Sequence, residues 1–333
     1  MKVLVLGGAG YIGSHTVYEL IENGAEVVVI DNLETGFLEA VHPDATFYHG
    51  DLRDKDFLEM VLTKEKDIDA VIHFAANSQV GESMTNPLKY YDNNLCGTKT
   101  LLEALVEHGI DKIVFSSTAA TYGEPECIPI QEGDRTEPTN TYGETKLAME
   151  KMFKWVEKAH GLRYVSLRYF NASGAHVSGG IGEAHNPETH LIPLILQVPL
   201  GQREHISVFG TDYPTKDGTC IRDYIHVTDL AEAHILAVKY LLAGNPSDIF
   251  NLGNGVGFTV REVIDMAEKV TGQKIKVIET ERREGDPAVL IASSCKAKKI
   301  LGWVPKHNSL REIIKSAWKW HQSHPYGYEK SVK

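Results

Sequence analysis

The segment Gly7-Gly8-Ala9-Gly10-Tyr11-Ile12-Gly13 constrains the fold of this chain more than any other. It follows the apolar run Val3-Leu4-Val5-Leu6 and opens a helical pattern over residues 11–22, so the glycines stand where a strand turns directly into a helix. There Gly7 permits the tight turn, Gly10 lets the backbone approach a pyrophosphate, and Gly13 allows helix and sheet to pack closely. The helix N-terminus attracts the phosphate charge. Further runs rich in Val, Ile and Phe over 26–30, 46–49, 70–74, 112–116 and 164–169 alternate with helical patterns over 54–62, 90–107 and 142–159. That alternation predicts an α/β fold built on a Rossmann-type doubly wound parallel sheet.

Asp31 ends the second expected strand, where a carboxylate bonds both ribose hydroxyls and repels a 2'-phosphate; NAD is therefore favoured over NADP. Asp51-Leu52, after the third strand, is placed to frame the adenine, and Phe74-Ala75-Ala76 puts small residues where backbone must come close to a cofactor. With the glycine loop, Tyr11, Ile12, Asn32, Asn93 and Phe170 complete the candidate cofactor contacts. After Asn171 the texture changes. Residues 173–187 are rich in Gly, Ser and His, and 191–198 form an apolar helical turn flanked by prolines. The expected division is an NAD-binding Rossmann domain over 1–171 and a smaller C-terminal substrate-binding α/β domain over 172–333. Strands over 223–227 and 248–252 are candidates to return to the main sheet.

Tyr142 and Lys146 are i and i+4 neighbours at the start of a helical pattern, which sets a phenol beside an ammonium. A free tyrosine has a pKa of ~10, and a nearby cation lowers it by ~1 to 3 units, so Tyr142 is the candidate general base. Ser116-Ser117-Thr118 puts hydroxyls at the carboxyl end of the fifth strand, the side on which such sheets bind ligands. Together these elements form the Ser/Thr, Tyr, Lys arrangement of the short-chain dehydrogenases.

Composition narrows the partners. With 34 Lys and Arg against 45 Asp and Glu the formal charge is -11, and no basic run is present, which opposes nucleic acid and anionic membrane as partners. No stretch reaches the ~20 apolar residues of a membrane span, and the opening apolar run is too short for a signal peptide. Cys96, Cys127, Cys220 and Cys295 show no C-x-x-C spacing, and no metal-ligand spacing stands out among the 15 histidines. A cytoplasmic enzyme without a metal is the expectation.

The segments Gly7–Gly13 with Ser14-His15, Ser116-Ser117-Thr118-Ala119-Ala120-Thr121-Tyr122-Gly123, Tyr142-Gly143-Glu144-Thr145-Lys146, Arg168-Tyr169-Phe170-Asn171, Asn186-Pro187-Glu188-Thr189-His190-Leu191-Ile192-Pro193 and Arg222-Asp223-Tyr224-Ile225-His226-Val227 closely resemble the UDP-glucose 4-epimerase family, within the short-chain dehydrogenase/reductase superfamily. The likeness runs from Met1 to about Trp303, and Leu6 departs from it where the family usually has Thr. The resemblance implies a tightly held NAD, regenerated each cycle, and a UDP-sugar substrate oxidised to a 4-keto form, turned over and reduced on its other face. It assigns proton removal from O4 to Tyr142, the nicotinamide ribose to Lys146, and a share of the proton path to Thr118. Arg222, Arg283 and Asp286 match positions that hold diphosphate and uridine ribose; Asn171, His190, Leu191, Ser207 and Phe209 match other substrate contacts.

The bland readings are that Arg222 pairs with Asp223 or Asp229 and that His190 caps a helix. Leu290 matches a hexose-pocket position where a bulky Tyr limits room at C2 and a small residue admits an N-acetyl group, so UDP-N-acetylglucosamine and UDP-N-acetylgalactosamine are alternative substrates. A 4,6-dehydratase on this scaffold would carry an Asp-Glu pair after Thr118, where this chain has Ala119-Ala120, and a silent dinucleotide sensor would not need Tyr142, Lys146 and Thr118 together. The family is commonly homodimeric through two helices, here over 90–107 and 142–159, whose apolar faces could equally pack within one chain.

Overall fold

A computed structural model describes residues 1–283 and 286–328. Its first half supplies β1 (Lys2–Leu6), β2 (Glu26–Asp31), β3 (Thr46–His49), β4 (Ala70–His73), β5 (Lys112–Thr118) and β6 (Arg163–Tyr169). The second half supplies β7 (Asn171–Ser173), β8 (Ile206–Phe209), β9 (Ile221–His226), β10 (Asp248–Leu252), β11 (Gly257–Thr259), β12 (Val277–Thr280) and β13 (Val289–Leu290). Seven strands make one parallel sheet in the order β10-β6-β5-β4-β1-β2-β3.

The unbroken apolar runs of the sequence follow from this burial on both faces. Successive side chains of a strand point to opposite sides. Val3, Val5, Val27 and Val29 therefore enter one core, with the helices Tyr11–Glu22 and Val227–Leu242. Leu4, Leu6, Val28 and Ile30 enter the other, with the helices Lys55–Lys64, Gly97–Glu107 and Thr141–His160. Strand order reverses between β1 and β4, and the carboxyl ends of these two strands open the crevice where such sheets bind ligands.

The six expected strands form, with ends displaced by no more than two residues. β10 returns to the main sheet beside β6, pairing Asp248 with Val165 through Leu252 with Tyr169. The strand expected over 223–227 does not. β7 leaves β6 after the single residue Phe170 and pairs with β9, which carries β9 into a small separate sheet with β11 and β13. The helix expected over 90–107 is interrupted: Tyr91–Cys96 is a π-helical segment before the α-helix Gly97–Glu107.

A third core joins Ile192, Ile195, Val208, Tyr224, Val263 and Trp318 under the helices Val260–Thr271 and Leu310–Ser323. Thr259 starts the first of these with a capping box, its hydroxyl accepting from the Glu262 amide at 3.1 Å and its own amide donating to Glu262 Oε2 at 2.9 Å. Among the described residues no helix is long and apolar enough to cross a membrane, and all four cysteines are free.

Candidate active site

Gly7 takes φ +79°, and its amide donates to the Ile30 carbonyl at 2.8 Å, so the chain turns out of β1 without leaving the sheet edge. A Cβ on Gly13 would lie 2.1 Å from the Gly7 carbonyl oxygen. The close approach at Gly13 is thus to the loop's own backbone rather than only between helix and sheet. Asp31 closes the second side. Its Oδ2 accepts from the Ala9 amide at 2.9 Å and its Oδ1 from the Leu33 amide at 2.8 Å, while burial pushes its carboxyl upward. Asn32 donates to Asp51 Oδ2 at 2.9 Å, and hydrogen bonds from Arg53 hold the Asp51 carboxyl well below the usual range.

A cleft of about 630 Å³ runs from this loop between the two halves. Gly7, Gly10, Tyr11, Ile12, Gly13, Asp31, Asn32, Asp51, Leu52, Phe74, Ala75, Ala76, Asn93 and Phe170 all line it, as do Thr118, Tyr142 and Lys146. Turn, carboxylate and small residues together fit a dinucleotide: the glycine loop leaves backbone bare at a helix N-terminus, and Asp31 stands at the ribose end.

Asn140 starts the helix Thr141–His160 by accepting from the Gly143 amide at 2.8 Å, which places Tyr142 and Lys146 one turn apart and facing the cleft. Lys146 is 2% exposed, and its Nζ donates to the Ser116 carbonyl at 2.9 Å. Burial lowers its pKa to about 7, against the opposing charge of Glu150. Arg168 and Ser117 in turn hold Glu150, through Nε at 2.9 Å and Oγ at 2.5 Å.

The expected lowering of Tyr142 by Lys146 is not found in the chain alone. Burial raises the phenol to about 12, and the hydroxyl of Thr118 is what works in the other direction. Lys146 Nζ sits 5.9 Å from the Tyr142 ring centre and directs its proton to Ser116, because a buried ammonium needs an acceptor more than proximity to a neutral phenol.

One positioning device escaped the sequence reading. The π segment Tyr91–Cys96 turns Asn94 inward, fully buried, where it accepts from the Asn77 amide at 2.8 Å and donates to the Asn77 carbonyl at 3.1 Å and to Thr145 Oγ1 at 3.0 Å. It ties the loop after β4 to the helix that carries Tyr142 and Lys146. π segments occur often at functional sites, but an i-to-i+5 hydrogen bond leaves no mark in hydrophobic periodicity.

On the far side, Asn171, His190, Arg222, Asp286 and Leu290 line the cleft. Arg222 pairs with Asp286 and donates to the carbonyls of Pro287 at 2.8 Å and Ile221 at 2.9 Å, so neither bland pairing, with Asp223 or with Asp229, holds. Those two carboxylates accept from backbone amides instead: Asp223 from Asn254, Gly255 and Ala292, Asp229 from Lys306 and His307. His190 occupies the N-cap position of the helix Leu191–Leu196 without a side-chain capping bond.

Leu191, Ser207, Phe209 and Arg283 do not line the cleft. Leu191 packs into the third core, and the Arg283 guanidinium covers the Phe209 ring at 3.8 Å. Ser78, Gln79 and His185 also line the cleft, though nothing in their spacing marks them, and so does Asn186, from the segment 186–193 that carries the family resemblance.

Comparison with known proteins places this cleft in context. A model of the NAD dependent epimerase/dehydratase family matches residues 3–253. A UDP-glucose 4-epimerase of Halalkalibacterium halodurans is 60% identical over 333 residues, covering 100% of this chain and 99% of that protein. A crystal structure of a UDP-glucose 4-epimerase superposes with TM-score 0.97 at 57% identity, covering 99% of this chain and 100% of that one. The UDP-glucose 4-epimerase of Bifidobacterium longum, solved with NAD+ and UDP, superposes with TM-score 0.92 at 38% identity, covering 98% of this chain and 100% of that one.

Proposed function

The chain belongs to the NAD dependent epimerase/dehydratase family, and from that premise we propose that it is an isomerase interconverting UDP-galactose and UDP-glucose through a 4-keto sugar nucleotide. The observation that carries the reading is Tyr142 and Thr118 facing one cleft with the buried Lys146 and the glycine loop. Tyr142 takes the proton from the sugar O4 and returns it after the sugar has turned; Thr118 shares that proton path, and Lys146 holds the nicotinamide ribose. Bound NAD would supply a hydride acceptor and donor for C4, and its positive charge would favour the ionised phenol of Tyr142. The site must grip the nucleotide while the hexose rotates, so binding energy belongs on UDP. Arg222 and Asp286 sit where they can supply it, and we assign them to the diphosphate and uridine ribose.

A 4,6-dehydratase is disfavoured because Ala119 and Ala120 line the cleft directly after Thr118 and offer no acid or base. Leu290 pairs in register with Arg222 and faces the same cleft, which supports a steric role at the hexose. Leu290→Tyr is expected to depress turnover of the N-acetylated UDP-sugars relative to UDP-galactose; an unchanged ratio removes that role. Residues 1–171 form the NAD-binding unit in this reading and 172–333 the UDP-sugar unit, with β10 lent back to the sheet. We assign the protein to the cytoplasm as a homodimer paired through the helices Gly97–Glu107 and Thr141–His160, the latter carrying Trp155 at 65% exposure.

The test is incubation with UDP-galactose, without added NAD, followed by proton NMR. Formation of UDP-glucose without net NADH supports the assignment and a retained cofactor. Failure with NAD added, and with the N-acetylated sugars too, sinks the substrate assignment.

A further inference from the structure

Residues 183–190 border the cleft through His185, Asn186, Pro187 and His190, and Gln79 Nε2 donates to the Pro187 carbonyl at 3.3 Å. Within this loop Glu183, His185, Glu188 and His190 bring one donor atom each within 4.8 Å of all the others. His190 Nδ1 lies 2.7 Å and His185 Nδ1 3.2 Å from the same oxygen, Glu183 Oε1. The corresponding distances to Glu188 oxygens are 3.5 Å and 3.7 Å. Around a tetrahedral zinc-class ion with bonds of about 2.0–2.1 Å, donors stand roughly 3.3 Å apart, and these separations straddle that spacing.

A second observation is independent of the clustering. Glu183 is 3% exposed, yet its Oε1, with two imidazole nitrogens so near, makes no hydrogen bond; His185 Nδ1 is likewise buried without a partner. Four donor atoms from four side chains thus share one small space, as the ligands of a shared ion do. Charge permits the same reading: against the lowering effect of burial, Glu183 and Glu188 raise His185 to about 9 and His190 to about 10, so a divalent cation enters by displacing the two imidazole protons and then cancels the −2 of the carboxylates. Two nitrogen donors select zinc-class ions over magnesium or calcium, which prefer oxygen.

We propose that Glu183, His185, Glu188 and His190 form a binding site for one zinc-class divalent cation that ties residues 183–190 together at the mouth of the cleft. His190, whose side chain is 51% exposed, leaves the ion a path in from solvent. Backbone amides of Thr189 and His190 donate to Glu188 Oε1 at 2.7 and 2.8 Å, and the Trp320 indole donates to the Glu183 carbonyl at 3.0 Å; both orient the carboxylate-bearing residues from outside the site.

The experiment uses the untagged full chain, stripped with EDTA and freed of chelator, titrated with Co2+ alone and then with Zn2+ alone. Metal per chain and the visible absorption of Co2+ are the readouts, and neither depends on epimerase activity. One Co2+ per chain with tetrahedral absorption, displaced by one Zn2+, is expected. Glu183→Gln, which keeps the side chain's volume, should weaken binding by about 10- to 100-fold, and His185→Ala/His190→Ala should abolish it. His176→Ala, at the separate group Glu19, Glu22 and His176, should leave it unchanged. Wild-type protein that takes up no stoichiometric metal overturns the proposal even if a variant fails to fold, as does binding unaltered by Glu183→Gln.

Discussion

The glycine loop and the Arg222 corner face the same cleft from opposite sides and are built by different means. The loop is local: Gly7 to Gly13 close on each other and on strands β1, β2 and β4, largely through backbone atoms. The corner is assembled from afar. Arg222 reaches Asp286 and Pro287, more than 60 positions along the chain, and Asn171 donates to the Asp223 carbonyl at 2.9 Å. A site made of backbone tolerates few substitutions at the glycines but leaves its geometry readable; a site made of long side chains keeps its geometry only while the tertiary pairing holds.

The comparison can be broken or sharpened by experiment. The Tyr142 hydroxyl, proposed to act on the substrate, is the largest lever: Tyr142→Phe should cost about 10²- to 10⁴-fold in turnover while NAD content, read by absorbance of the released cofactor, stays at the wild-type level. Loss of NAD along with activity would show that Tyr142 builds the dinucleotide side instead of acting on substrate.

Acid should attack the dinucleotide side next. Burial lowers His15 and His73 to about 3, with the Lys146 charge adding to the effect at His73. Their folded pKa values lie below the unfolded value near 6.5, so the stability they contribute is present above pH 6.5 and is lost as pH falls toward 3. Each changes the slope by up to about 1.4 kcal/mol per pH unit. In denaturant titrations across that window, His73→Gln should flatten the slope by about one proton; an unaltered slope would mean that the imidazole is protonated in the native state.

Gly13→Ala forces a Cβ into the space of the Gly7 carbonyl. A loss of about 1–3 kcal/mol in urea unfolding is expected, with weaker NAD retention. Smallest is Arg222→Lys, which keeps the charge but loses the planar fork shared by Asp286 and Pro287. About a tenfold rise in KM for UDP-galactose is expected, with kcat little changed; a fall in kcat alone would move Arg222 from nucleotide binding to the chemistry.

Several features of the site were legible because they depend on spacing along one element. Tyr142 and Lys146 share a helix face, Asp31 ends a strand, and Thr118 ends another at the carboxyl side of the sheet. The charge balance of the pair was not legible. Burial acts on Tyr142 and Lys146 in opposite directions, and how deep each lies is decided by Ser116, Phe115 and the packing of the whole helix. Leu191, Ser207, Phe209 and Arg283 were assigned by resemblance, and the packing of Arg283 on Phe209, more than 70 positions apart, is a pairing that no local spacing shows.

The sequence by itself determined the parallel sheet, the strand-to-helix glycine turn and the placement of Tyr142 and Lys146 on one helix face, since apolar period, backbone freedom and i, i+4 spacing are properties of contiguous residues. Only the tertiary structure decided that β9 leaves the main sheet while β10 rejoins it, that Asn94 locks the β4 loop to Thr145, and that Arg222 meets Asp286. Each of those joins side chains or strands far apart in the chain, and no local preference specifies which distant partner a hydrogen-bonding group will find.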